Sequence, residues 1–304
     1  MSTASIVEAP NLPKGFTDTF TSRHIDTGDV RLHAVVGGEG PPLLLIHGWP
    51  QTWYAWRMVM PTLAEDFEVI AVDQRGIGLS DKPKDGYDTA TLANDLVTLM
   101  EALGHERFAV YGTDVGMPIA YALAADHPDR VDRLVVSEAP LPGISPSPPL
   151  FLPPPLNARL WHLAFNQLPA EVNEALVRGR EEIFFGAEFD ASAGTKKLPE
   201  EAVRYYIDTL ASDPEALRGS FEFYRAIPAS SVQNAERMNR RLTMPVLAIG
   251  GAESGMEGVE ATMKLVADDV QGVVLPGAAH WVAEQAPEEL LAALTEFLAP
   301  HKDR

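Results

Sequence analysis

The five residues Gly112-Thr113-Asp114-Val115-Gly116 constrain this chain more than any other stretch. They follow the apolar run Phe108-Ala109-Val110-Tyr111 and precede residues 117–125, whose composition suits a helix. Strand, sharp turn and helix in that order, with a glycine two residues to either side of the central position, is the pattern of an elbow that presents a nucleophile. Here the central residue is an aspartate. A serine alkoxide is suited to acyl carbon, whereas a carboxylate attacks a saturated carbon bearing a good or strained leaving group and becomes esterified. The pattern therefore points to an epoxide or an alkyl halide. The same residues also fit an aspartate that caps the following helix, so the remaining chain has to discriminate.

Strand-like runs at 30–36, 43–47, 67–72, 108–111 and 134–137 alternate with helical stretches at 52–63, 89–103 and 117–125, the first of them disturbed at Pro61. The alternation resumes with strands at 246–249 and 273–275 and a final helix at 287–298. This predicts an α/β fold with a mostly parallel central sheet and helices on both faces. A passage dense in proline (Pro140, Pro142, Pro146, Pro148, Pro149, Pro153, Pro154, Pro155) interrupts it and reads as an extended linker. From Leu156 to about Arg241 the period is helical, with starts at Pro169, Pro199 and Pro214. The expected organisation is a core over 1–139, an all-helical cap over 140–241 and a second part of the core over 242–304.

The 304 residues, 46% of them hydrophobic, can bury a large core, and no run approaches a membrane span. A net charge of −19 opposes binding to nucleic acid or anionic lipid, so neither partner is expected, and a small neutral or apolar substrate fits best. The absence of cysteine excludes disulfides and thiolate chemistry. Residues 1–20 lack the apolar core and cleavage site of a secretory signal, which makes the cytoplasm the expected location.

His47-Gly48-Trp49-Pro50 follows a strand, and Gly48 allows the backbone to approach a bound oxygen. An oxyanion hole is expected from the N–H groups of Trp49 and Val115, with His47 holding the loop. Asp73 and Arg75 are read as loop-fixing residues. A base must come late in the chain, and His280, in Gly277-Ala278-Ala279-His280-Trp281 between the last strand and last helix, is placed for it. His24, His33, His105, His127 and His301 are assigned to the surface. Glu138 and Glu253 each end a strand and could each orient His280; Glu138 is preferred, since Glu253 sits in a glycine-rich loop.

With these residues in place, the chain resembles the α/β-hydrolase-fold epoxide hydrolases and their haloalkane and haloacetate dehalogenase relatives. Gln51-Thr52-Trp53-Tyr54, Glu138-Ala139-Pro140, Leu160-Trp161-His162, residues 220–225 and residues 233–236 are most similar to the bacterial Cif-like epoxide hydrolases. The resemblance implies that His162 and Tyr224 of the cap form the ring-opening pair, with Tyr205 and Tyr206 as alternative acids. It supports Glu138 as the acid, and Trp161 and Trp281 are expected to contact substrate. Neither metal nor organic cofactor is implied. In this reading Asp114 attacks an epoxide whose oxygen is held by Tyr224 and a neutral His162, and His280 then activates water against the ester. A haloalkane or haloacetate dehalogenase with Trp161 or His162 cradling halide is the alternative, although Val115 stands where haloalkane dehalogenases, and many epoxide hydrolases, carry tryptophan. A non-catalytic ligand-binding protein is a third reading. Pairing of subunits into a homodimer is compatible with the helix-rich cap.

Overall fold

Leu43, Leu44, Leu45 and Ile46 are wholly excluded from solvent, as are Val69, Ile70, Ala71 and Val72. Continuous apolar runs of this kind suit strands covered on both faces, the condition for a parallel sheet. In a computed structural model that describes residues 6, 9–147, 149 and 151–302, these runs form the middle of one eight-stranded sheet. Its strands are β1 (Phe20–Asp26), β2 (Arg31–Gly37), β3 (Pro42–Ile46), β4 (Glu68–Asp73), β5 (Phe108–Thr113), β6 (Val131–Ser137), β7 (Val246–Gly251) and β8 (Val270–Leu275). The spatial order is β1-β2-β4-β3-β5-β6-β7-β8. Strands β3 to β8 run parallel, and β2 is antiparallel to both β1 and β4. The carboxyl ends of β3, β5, β6 and β7 therefore lie side by side.

The longer helices are α1 (Thr89–Leu103), α2 (Gly116–Asp126), α3 (Pro154–Phe165), α4 (Ala170–Val177), α5 (Glu181–Ser192), α6 (Glu200–Ala211), α7 (Pro214–Arg225), α8 (Ile227–Arg237), α9 (Gly258–Met263) and α10 (Pro287–Lys302). Helix α1 begins where the Asp88 carboxylate accepts the N–H groups of Ala90 and Thr91, and ends at Gly104 with φ 94°. Helix α2, buried along its length apart from its last turn, packs on β5 and β6. Helices α3 to α8 stand between β6 and β7 in the chain and fold over the carboxyl edge of the sheet, where Trp49 meets side chains of α3, α5 and α7.

Several expectations needed correction. The helix expected over 52–63 is a 3-10 turn at Trp53–Trp56 followed by a short helix at Met60–Leu63, with Pro61 confined to its first turn. Strand β1 escaped sequence reading because as an edge strand it is only half covered. Pro154 and Pro155 open α3 instead of continuing an extended linker, a position where a missing N–H costs nothing. Pro148 lies outside the described residues, as do residues 1–5, 7 and 8 of the N-terminal segment. Pro169 and Pro199 precede helices and Pro214 begins one, as expected. Among the described residues no helix is long and apolar enough to cross a membrane.

Two histidines assigned to the surface are buried. His301 contacts the Pro42 carbonyl and Asp132. His33 bonds Ser22 and, at 2.7 Å, the Asp73 carboxylate. Asp73 also accepts the N–H groups of Trp53 and Leu79, tying β4 to the segments beyond it. Arg75 is held by both oxygens of Asp95 and by Asp29. Both residues thus fix loops at the sheet edge.

Burial opposes the Asp73 charge, but the His33 bond and the backbone donors outweigh it and hold its pKa below the ordinary 3.8. A depressed carboxylate stabilises the fold above its unfolded pKa and ceases to do so as pH falls through the folded value. Asp73→Ala should therefore lose about 3 kcal/mol at neutral pH. In urea unfolding, the gap from the unsubstituted protein should narrow only below 3.8.

Candidate active site

Asp114 occupies the turn between β5 and α2 with φ 51°, a left-handed conformation that few non-glycine residues adopt. The flanking glycines are needed for the turn to be this sharp. A Cβ on Gly112 would collide with the Gly116 carbonyl, and one on Gly116 would lie 2.5 Å from the Ile46 carbonyl oxygen. The Asp114 N–H donates to the Ser137 carbonyl of β6, and Met117 N–H donates to the Asp114 carbonyl, locking the turn to both neighbouring elements.

The carboxylate is held asymmetrically. Trp49 N–H donates to Oδ1 at 2.7 Å, and Val115 N–H also bonds the group. Trp49 reaches it because Gly48 has no side chain: a Cβ there would stand 2.5 Å from Asp114 Cβ. The Trp49–Pro50 peptide bond is cis. His47 is buried and holds this loop, bonding the Gly48 carbonyl through Nδ1 and accepting Gln74 N–H at Nε2. Burial lowers its pKa, in keeping with a neutral ring.

Oδ2 of Asp114 lies 3.3 Å from His280 Nε2, and the other ring nitrogen, Nδ1, lies 3.3 Å from Glu138 Oε2. Glu138 stands just past β6 with φ 67°. Its Oε1 accepts Gly251 N–H at 2.5 Å and its Oε2 accepts the Ser254 hydroxyl at 2.6 Å. Glu253, the other candidate partner of His280, is exposed and turned to Thr195, whose N–H and hydroxyl it accepts. The choice between the two was set by the direction of the chain beyond β7, where Ser254 points inward and Glu253 outward.

Burial would lower the His280 pKa, but its contacts with Asp114 and Glu138 reverse that and push it up to about 9. Burial would raise that of Asp114, yet His280 and the two backbone donors hold it below the ordinary range. At neutral pH the pair is thus a carboxylate beside an imidazolium, with a second carboxylate behind.

The inserted helices supply the roof. His162 of α3 stacks on the Trp49 indole at 5.2 Å, and the Tyr224 ring of α7 stands edge-on to both. Asn166, one turn beyond His162, is fully buried beside the Tyr224 hydroxyl. Burial and the charges of Asp114 and Glu188 raise the Tyr224 pKa well above its ordinary 10, so the phenol stays protonated and can only donate to an incoming oxyanion. Tyr206 is committed elsewhere, to Glu284, which pairs with Arg57, and to Gln51. Tyr205 packs on Tyr54.

A cavity of about 110 Å³ opens on Asp114 and Val115, walled by Leu163, Phe223, Tyr224 and Ile227 among others. Neither Trp161 nor Trp281 lines it. Trp161 faces the aromatic cluster of Phe165 and Phe184, and Trp281 packs behind His280 with its indole N–H on the Phe189 carbonyl. Leu163, one residue past His162, takes the wall position that Trp161 was expected to fill. Among the described residues no group of three or more His, Cys, Asp or Glu side chains is arranged to hold a metal ion.

Residues 41–287 match the sequence model of the alpha/beta hydrolase fold. The chain belongs to that family. It is 33% identical over 273 residues to a soluble epoxide hydrolase of Corynebacterium sp. strain C12, covering 89% of this chain and 94% of that protein. It is 32% identical over 293 residues to a fluoroacetate dehalogenase of Burkholderia sp., covering 92% and 94% respectively. The crystal structure of Cfl2 from Burkholderia cenocepacia superposes with a TM-score of 0.88 at 34% identity, covering 94% of this chain and 98% of that one. The resemblance to α/β-hydrolase-fold epoxide hydrolases read from the sequence therefore extends over nearly the whole chain.

Replacing Asp114 by Asn removes the first of the two carboxylates that raise His280. The His280 titration midpoint, followed by NMR of the ring protons, should fall clearly below about 9. An unchanged midpoint would show that Glu138 alone sets it.

Proposed function

We propose that this hydrolase opens epoxides to vicinal diols through an ester on Asp114. The observation that carries this reading is the division of labour across the Asp114 carboxylate: Oδ1 is anchored by the Trp49 N–H, the Val115 N–H bonds the same group, and Oδ2 faces His280. The Tyr224 hydroxyl and a ring N–H of His162 hold the epoxide oxygen, and one ring carbon is attacked by Oδ2. The C–O bond of the strained ring breaks as the ester bond forms, and the roof donors stabilise the developing alkoxide.

Ester formation cancels the Asp114 charge. One of the two carboxylates that keep His280 protonated is thereby neutralised, so the ring sheds its proton to solvent and can then take one from water with Glu138 behind it. The activated water attacks the ester carbonyl carbon. Its oxygen, the former Oδ1, already lies against the Trp49 N–H, and this donor with the Val115 N–H on the same group stabilises the tetrahedral oxyanion. The two steps thus use one anchored carboxylate, first as nucleophile and then as electrophile. The inserted helices serve as the cap over this chemistry, and the apolar walls suit a small neutral epoxide.

A second reading, dehalogenation, draws on the fluoroacetate dehalogenase relative. Against it, no lysine or arginine among the described residues lines the cavity, so a haloacetate carboxylate would meet no lysine or arginine counter-charge there. With styrene oxide and with fluoroacetate in parallel, diol should form and fluoride should not be released; the reverse outcome would replace the present reading.

His280→Gln should accumulate the alkyl-enzyme, seen by intact-protein mass spectrometry as one epoxide mass added at Asp114, with steady turnover abolished. Tyr224→Phe should lower diol formation by about 10²-fold. Full activity in that variant would move the electrophile to another side chain.

A further inference from the structure

Beneath the roof lies a carboxylate that the scheme above does not use. Glu188 of α5 is 1% exposed, and its Oε2 lies 2.9 Å from His162 Nδ1. Neither of its oxygens, nor His162 Nδ1, makes a well-aligned hydrogen bond among the described residues, so the 2.9 Å approach is a charge contact. The other charged or titratable groups around His162 do not compensate it. Tyr224 of α7 is a protonated phenol, and Asp114, below the Trp49 ring on which His162 stacks, is itself an anion. Arg225, also on α7, is engaged by Glu174 and Glu222. An uncompensated buried carboxylate is strongly unfavourable, so the group that balances Glu188 is the imidazole it touches.

The tautomers of His162 sharpen this. With Nδ1 set against the carboxylate at 2.9 Å, Nε2 is the ring nitrogen able to serve substrate. A ring carrying a single proton would place it on Nδ1 facing Glu188, and Nε2 would be a bare acceptor unable to hold an epoxide oxygen. Donation from Nε2 while Nδ1 answers the Glu188 charge requires one proton on each ring nitrogen. The pair then has no net charge.

We propose that Glu188 is a positioning residue for epoxide opening, holding a proton on each ring nitrogen of His162 so that Nε2–H faces the epoxide oxygen. This rests on the epoxide reading and replaces the neutral histidine expected from the sequence. The proton balance closes. As the Asp114 oxygen bonds to carbon and the ring C–O bond breaks, the Nε2 proton passes to the alkoxide. His162 is left with its proton on Nδ1, against an ionised Glu188. The negative charge lost from Asp114 thus reappears on the His162–Glu188 pair, and the proton released when the ester is hydrolysed restores it.

The test uses the His280→Gln protein, which stops at the ester, with and without Glu188→Gln. Ester formation from styrene oxide is followed by intact-protein mass spectrometry at about pH 8 and about pH 5.5, either side of the ordinary histidine range. The added substitution should slow alkylation about tenfold or more at the higher pH. The gap should shrink at the lower pH, where solvent protons do for the imidazole what the carboxylate no longer does. Equal rates at the higher pH, or the same deficit at both, would overturn the proposal, the latter because a purely structural role moves both alike. Absence of any ester in His280→Gln alone would instead remove the epoxide reading. Independently of substrate and of the variant's folding, ¹⁵N NMR of the unsubstituted protein at about pH 8, assigned with His162→Gln, should show both His162 ring nitrogens protonated; a bare Nε2 would overturn the proposal.

Discussion

The carboxylate of Asp114 is an anion taken largely out of water, and the surrounding structure is arranged so that it can remain one. Two backbone N–H groups and an imidazolium compensate it, each charge-assisted bond contributing about 1.5–3 kcal/mol. Those partners come from three separate places in the chain: the loop after β3, the residue that leads into α2 and the loop after β8. A parallel sheet is what brings them together, because it gathers the carboxyl ends of sequence-distant strands along one edge.

The same compensation explains the layering behind the nucleophile. His280 is worth most as a partner when protonated, and Glu138, itself fastened by Gly251 and Ser254, keeps it so. The carboxylate, imidazole and carboxylate in a row are poised against one another, so that neutralising the first alters the proton affinity of the second. The inserted helices repeat the motif on a smaller scale with Glu188 and His162. Between the inserted helices and the anchored carboxylate lies a small, largely apolar space.

Sequence reading missed the participants that lack a local signature. Glu188 sits in Glu181–Ser192 with acidic residues before and after it, and nothing in that pattern distinguishes it from a solvated charge. Asn166 likewise looks like an ordinary helix end. Ser254 could have been suspected, because a hydroxyl beside an expected carboxylate is a natural donor. Trp161 and Trp281 do not line the cavity over Asp114, because an aromatic next to a histidine on a helix or turn points away from its neighbour as often as toward the same space.

What the sequence determined by itself was everything carried by short-range stereochemistry. Glycine spacing dictated the elbow at Asp114, apolar runs dictated the parallel sheet, and proline positions dictated where helices of the insert begin. Which of Glu138 and Glu253 meets His280, which side of α3 faces the cavity, and which buried carboxylate stands behind His162 were decided only by tertiary packing. These are relations between residues tens of positions apart, set by the relative orientation of whole elements, and no local pattern encodes the direction in which a side chain leaves its backbone.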